Sequence, residues 1–154
     1  MKDRVTTLLL IIKEGKILLA QKKRGFGVNK YNGVGGKVEF GETVEHAMIR
    51  ETQEEIGVTP INYEKRAVIT FSNIENGERF NIVMHVYAAS DYLGEIKESE
   101  EMRPEWFDLD KVPFGKMFPD DKIWLPIMLE GKNFEGYFKF DEDFNVLDHT
   151  IEIK

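Results

Sequence analysis

Residues 36–58, GKVEFGETVEHAMIRETQEEIGV, constrain the chain more than any other stretch. Over 42–56 the apolar and acidic positions recur at spacings of three and four, the repeat of one helix face. The pattern stops at Gly57, with Pro60 just beyond. Val44, Ala47 and Met48 begin a stripe suited to packing, and Glu51, Glu54 and Glu55 continue it as carboxylates. Neighbours on a helix face lie roughly 5–6 Å apart. At an effective dielectric of about 20, each like-charge pair then costs on the order of 3 kcal/mol. Folding alone gives no reason for that repulsion, and Arg50 cannot serve three anions.

A hard divalent cation can. Oxygen donors with no Cys or His in the cluster suit Mg²⁺ or Mn²⁺ better than zinc. Mg²⁺ keeps some of its water and takes a few carboxylates together with substrate phosphate oxygens, so the cluster implies a phosphate-bearing ligand. Taken alone, three glutamates at a helix end also read as a solvated surface. Glu101, with Glu100, in the run Glu98-Ser99-Glu100-Glu101 offers a further ligand from a loop, or a second solvated run.

Elsewhere the chain reads mostly as strands. Segments 5–12 and 16–21 flank Lys13-Glu14-Gly15 as a hairpin, and the glycine-rich stretch 25–36 reads as loop with a short strand. Segments 66–71 and 80–89 pair around the turn Glu75-Asn76-Gly77, followed by a short strand at 105–109. A second helix covers 120–129, with an aspartate cap and a stop near Gly131, and strands at 137–140 and 146–153 close the chain. This order predicts an α/β (α+β) architecture, a mixed β-sheet sandwiched between helices. No repeat, low-complexity tract or linker divides it, so 1–154 is read as one domain with a single substantial core.

Composition excludes several functions. The net charge is −7, with 28 acidic against 21 basic residues, which argues against a nucleic-acid polymer as partner. The absence of cysteine removes disulfides, thiolate ligands and a thiol nucleophile. The run from Leu8 to Ile12 is far short of a membrane span, and Met1-Lys2-Asp3-Arg4 leads straight into a strand with no room for a signal peptide. A cytoplasmic monomer acting on a small molecule, with no membrane partner, is the expectation.

Gly36, Glu42, Arg50-Glu51, Gln53, Glu54-Glu55, Gly57 and Val58, at these spacings, resemble the signature box of the Nudix hydrolases. The resemblance implies a loop–helix–loop catalytic segment with Glu51, Glu54 and Glu55 as metal ligands. Arg50 would orient a glutamate, Glu42 would support the helix start, and Gly36 would let its loop approach the metal. Thr52 stands where the family places an aliphatic residue, at a position pointing away from the acidic stripe. The implied chemistry is Mg²⁺-dependent attack of water on a phosphorus while pyrophosphate leaves, with a glutamate taking the proton.

The likeness extends beyond the box. Lys22-Lys23-Arg24-Gly25-Phe26-Gly27, Asn32-Gly33-Val34-Gly35-Gly36-Lys37, Glu101-Met102-Arg103-Pro104, Trp106-Phe107, Pro119-Asp120-Asp121 and Gly136-Tyr137-Phe138-Lys139-Phe140 are similar to the MutT-homologue subgroup. Those enzymes hydrolyse oxidised purine nucleoside triphosphates such as 8-oxo-dGTP and 2-hydroxy-dATP, sanitising the nucleotide pool. The resemblance implies that Asn32, Asp120 and Asp121 read the base edge. Thr7, Phe26, Phe71, Ile82, Phe118, Trp124 and Phe140 would line or neighbour the pocket. Phe118 and Ile82 depart from the subgroup's Trp and Met. Lys22, at the end of a strand, would clamp outer phosphates, though Lys22-Lys23-Arg24 also reads as an exposed turn.

Two adjacent aspartates exceed what helix capping needs. A carboxyl desolvated beside Trp124 and Phe118 would hold its proton and donate to a purine. Other readings share the acidic stripe. They are a Nudix enzyme acting on ADP-ribose, a dinucleoside polyphosphate or capped RNA, and a non-catalytic nucleotide sensor, which would be expected to lose box glutamates. A calcium module is disfavoured by the lack of an EF-hand loop.

Overall fold

Four consecutive residues, Leu8 to Ile11, are each 4% exposed or less, as expected of a strand covered on both faces. They lie in a computed structural model that describes residues 3–154. Met1 and Lys2, part of the lead-in read as too short for a signal peptide, fall outside it. The elements in chain order are β1 (Arg4–Lys13), β2 (Lys16–Lys22), β3 (Tyr31–Asn32), α1 (Val44–Ile56), β4 (Thr59–Glu75), β5 (Glu78–Leu93), β6 (Met102–Asp108), α2 (Asp121–Leu129), β7 (Phe134–Phe140) and β8 (Val146–Ile153).

All strands belong to one mixed sheet ordered β3-β2-β1-β5-β4-β7-β8, with β6 paired to β2. The β1–β5 and β4–β7 pairings are parallel and the others antiparallel. Strand alternation sends Leu8 and Leu10 to one face, where Trp124, Leu125 and Met128 of α2 pack. Leu9 and Ile11 go to the other, against Met48 and Ile56 of α1. The expected sheet between helices is therefore the observed one.

Several boundaries move, each for a local reason. The first helix starts at Val44, because Thr43 takes the N-cap and its Oγ1 accepts the His46 N–H at 3.1 Å. Glu42 is thereby left in the preceding loop. Gly57, at φ 78°, closes the helix by donating its N–H to the Gln53 carbonyl. The strands expected at 66–71 and 80–89 run on to 17 and 16 residues, their pairing continuing through polar residues to the turn at Asn76-Gly77. Asp120 sits at the N-cap position of α2 but makes no side-chain cap bond, so the expected aspartate cap does not form. Its carboxylate has another partner, described below.

Candidate active site

Two cavities hold most of the side chains singled out in the sequence. The first, of about 320 Å³, is lined by Glu51, Glu54, Glu55, Ser99, Glu100 and Glu101. Helix α1 supplies the three glutamates, and each meets a different environment. Glu54 is exposed, the Glu51 side chain is 17% exposed, and Glu55 is buried. Glu55 accepts the Gly35 N–H at 2.8 Å. Burial nevertheless pushes its carboxyl up to about 8, against that bond, with the Glu51 charge adding to the rise and Lys22 opposing it. Burial also raises Glu51, against the pull of Arg50.

Arg50 organises the cluster. Its Nε and Nη2 donate to the two oxygens of Glu42 at 2.6 and 2.9 Å. Nη1 donates to Glu51 at 2.9 Å and Glu54 at 3.1 Å, and Nη2 also reaches the Lys37 carbonyl. This fork holds Glu42 at about 2, chiefly through its hydrogen bond. The Glu39 N–H also donates to Glu42, so Glu42 braces the loop before α1. Thr52, 0% exposed, sits away from the acidic face and donates its hydroxyl to the Met48 carbonyl at 2.8 Å. The polar departure from an aliphatic residue is thus satisfied locally.

The glycines fix how close the loop comes. A Cβ on Gly36 would lie 2.6 Å from the Glu51 carboxyl carbon, and one on Gly35 would lie 1.9 Å from the Thr7 carbonyl oxygen. Backbone bonds Thr7 N–H to Gly36 O and Val38 N–H to Val5 O tie the loop to β1. Among the described residues, no group of three or more acidic or histidine side chains stands close enough together to hold an ion. Arg50 occupies oxygens of Glu51 and Glu54. The donor set is oxygen only, its carboxylates repel, and the Gly36 loop abuts them without a side chain, features that fit a hard divalent cation.

The second cavity, of about 220 Å³, lies on the α2 face of the sheet. It is lined by Thr6, Phe26, Asn32, Phe71, Asn73, Ile82, Met84, Phe118, Asp120, Asp121, Phe140 and Phe144. The structure therefore brings together Phe26, Asn32, Phe71, Ile82, Phe118, Asp120, Asp121 and Phe140, all singled out in the sequence. Trp124 is not in the lining. It is buried behind it, donating its indole N–H to Asp120 Oδ2 at 2.7 Å. Thr7 does not line the cavity either, because strand alternation turns it to the opposite face from Thr6. Lys22 lies nearer the glutamates, where its charge acts on Glu55.

Asp120 and Asp121 are 4% and 2% exposed. Burial raises Asp120, against the Trp124 bond, and raises Asp121 further, with the Asp120 charge adding to the effect. Asp121 Oδ2 is buried and meets no hydrogen-bond partner. A protonated carboxyl here can donate a hydrogen bond into an aromatic cavity. Thr6, Asn73, Met84 and Phe144 escaped the sequence reading. The first three follow from strand parity with Leu8, Phe71 and Ile82, whereas Phe144, in the turn between β7 and β8, carries no periodic signal.

With this geometry in place, likeness to known proteins is informative. The NUDIX domain family model matches residues 1–127. An oxidized purine nucleoside triphosphate hydrolase of Danio rerio is 46% identical over 150 residues, covering 97% of this chain and 95% of that protein. The Mus musculus protein of the same name is 40% identical over 97% of this chain and 94% of its own length. A crystal structure of a MutT protein from Bacillus halodurans superposes with a TM-score of 0.84 at 26% identity, covering 97% of each chain. The protein belongs to the Nudix hydrolase family, its box helix forming one wall of the acidic cavity.

Proposed function

We propose that the protein hydrolyses oxidised purine nucleoside triphosphates, of the 8-oxo-dGTP and 2-hydroxy-dATP type, to the monophosphate and pyrophosphate. The observation that carries this reading is Asp121 Oδ2, buried without a hydrogen-bond partner beside Asp120 in an aromatic cavity. A ligand in the cavity gives such an atom a partner, and a purine edge carries both donors and acceptors. Asn32 adds an amide to the lining, its Oδ1 already accepting the Gly33 N–H at 2.8 Å. The named activity of the two vertebrate relatives supports the same substrate class.

The chain's residues divide the work. Phe26, Phe71, Phe118 and Phe140 hold the base, and Asp120, Asp121 and Asn32 select its edge. The loop from Lys22 to Gly36 joins this cavity to the acidic one, so a nucleotide lying across it carries its phosphates towards Lys22 and the glutamates. Glu51, Glu54 and Glu55, with the Gly36 loop and Glu101, would hold Mg²⁺ or Mn²⁺. That ion supplies charge neutralisation of the phosphates and a water of lowered pKa. Arg50 positions Glu51 and Glu54, and Glu42 positions Arg50. A glutamate of this cluster accepts the proton of the attacking water. The protein acts as a cytoplasmic monomer, and among the described residues no helix is long and apolar enough to cross a membrane.

The test is turnover of a panel with Mg²⁺, following pyrophosphate and inorganic phosphate separately. The reading expects pyrophosphate release, fastest from oxidised purine triphosphates. A preference for ADP-ribose or a dinucleoside polyphosphate would end it.

A further inference from the structure

The two walls of the acidic cavity differ in stiffness. Helix α1 carries Glu51, Glu54 and Glu55, whereas Ser99, Glu100 and Glu101 come from the segment between β5 and β6. That segment, 94–101, is loop and holds four carboxylates, Glu95, Glu98, Glu100 and Glu101. Like charge on both walls pushes them apart. The first half of the loop is anchored: Ile96 packs against the core on the α1 face, and the Lys97 N–H donates to the Ile56 carbonyl at 2.9 Å. The second half needs another hold.

Lys23 supplies it. Just past β2, its backbone N–H donates to the Glu101 carbonyl at 2.8 Å, extending the β2–β6 pairing by one step. Its Nζ donates to Glu98 Oε2 at 2.5 Å and to the Ser99 carbonyl at 2.8 Å. The ammonium thus closes on a carboxylate and a backbone acceptor one residue apart, and a backbone acceptor cannot swing away as a side chain can. Ser99 completes the turn, its Oγ accepting the Met102 N–H at 3.2 Å and its own N–H donating to the Met102 carbonyl at 2.9 Å. Arg24 stands nearby, 3.5 Å from Glu100 and 3.6 Å from Glu101, through exposed side chains. Exposed ion pairs add little to global stability, yet they can fix where a loop stands.

We propose that Lys23 is a positioning residue for the metal. It holds the 98–101 segment against the repulsion across the cavity, so that Glu101 faces the α1 glutamates and shares their cation. The proposal rests on the reading of Glu101 as a metal ligand. Its expected effect is opposite in sign to that of charge alone. A cation beside a metal site repels the metal, so deleting the Lys23 charge would tighten binding if only charge mattered. Deleting a group that orients a ligand weakens binding instead, typically by roughly 10–100-fold.

The experiment is titration of the whole protein with Mn²⁺ alone, followed by electron paramagnetic resonance, with the Mg²⁺-dependent rise in Tm as a second readout. Lys23→Met is expected to weaken Mn²⁺ roughly 10–100-fold while Tm in chelator moves little. Lys23→Arg, which keeps the charge and the donors, should restore most of the affinity. Glu101→Gln should weaken Mn²⁺ similarly, and adding Lys23→Met to it should cost no more than about twofold further, because the positioned ligand is already gone. If Glu101→Gln loses affinity but Lys23→Met binds Mn²⁺ as tightly as wild type or tighter, the positioning role is overturned alone. Unchanged Mn²⁺ affinity with a raised nucleotide KM would then make Lys23 a phosphate clamp. Full additivity of the two substitutions also overturns the role. If Glu101→Gln binds Mn²⁺ as wild type does, the ligand reading fails and the proposal with it.

Discussion

Replacing Glu55 by Gln should stabilise the metal-free protein. Glu55 is 6% exposed, and burial holds its carboxyl at about 8 against an ordinary 4.5. At pH 7 the unfolded chain ionises this group, whereas the folded chain keeps it mostly protonated. The pH lies about 2.5 units above the unfolded value, and at about 1.4 kcal/mol per unit the folded state is disfavoured by about 3 kcal/mol. The sign follows from the raised value: the stability is fully present below 4.5 and is lost as pH rises through about 8. Glutamine keeps an oxygen for the Gly35 N–H and has no proton to lose. For a domain of this size, about 3 kcal/mol corresponds to a rise in Tm of roughly 6–12 °C. The assay is thermal melting of both proteins in a chelator from pH 4 to pH 9. The curves should converge near pH 4 and diverge towards pH 8. Mg²⁺ should raise the wild-type Tm by binding the native state and raise the variant's much less. A variant less stable than wild type at pH 8, or a parallel pair of pH curves, would refute the burial argument.

Glu54→Gln should lower kcat by ~10²–10⁴-fold, the range for a positioned acid–base or ligand group, and retention of near-full turnover would remove Glu54 from the mechanism. Gly36→Ala places a methyl against the Glu51 carboxylate and should abolish the Mg²⁺-dependent rise in Tm in a folded protein, whereas Gly35→Ala meets the Thr7 backbone and should yield little folded protein. Arg50→Ala frees Glu42, whose carboxyl it holds at about 2, so the variant should lack the stability that wild type retains between pH 4.5 and about 2. Acid melts of both proteins check this, and identical profiles would show that the fork contributes nothing.

The acidic stripe was legible because a helix has one dominant period, and carboxylates interrupt a packing face in a way that folding does not demand. The sheet between helices followed for the same reason, since runs such as Leu8 to Ile12 can be covered only from both sides. Strand ends were not legible where pairing rather than burial extends them, as at Ser72-Asn73-Ile74, nor was the helix start, which Thr43 sets. The resemblance pointed to Thr7, whereas Thr6 lines the cavity: the two differ by one position and face opposite sides of the sheet. Asp120 resembled a cap because its position is that of a cap, and only the tertiary contact with Trp124 redirects its carboxylate. Phe144 reaches the base cavity through a turn held by Asp141, and no local pattern in Asp141-Glu142-Asp143-Phe144-Asn145 signals that.

The central claim is that a carboxyl pair selects the base while a separate glutamate cluster serves the phosphates. The most direct test is the ratio of kcat/KM for 8-oxo-dGTP to that for dGTP, measured in wild type and in Asp120→Ala, Asp121→Ala and Asn32→Ala. An unpaired buried polar group costs about 1–3 kcal/mol, so each variant should lose roughly ten- to a hundredfold on the oxidised base. Turnover of dGTP should change far less, and the ratio should collapse towards one. Equal losses on both nucleotides would contradict the account, assigning these residues to the fold or to the phosphates instead.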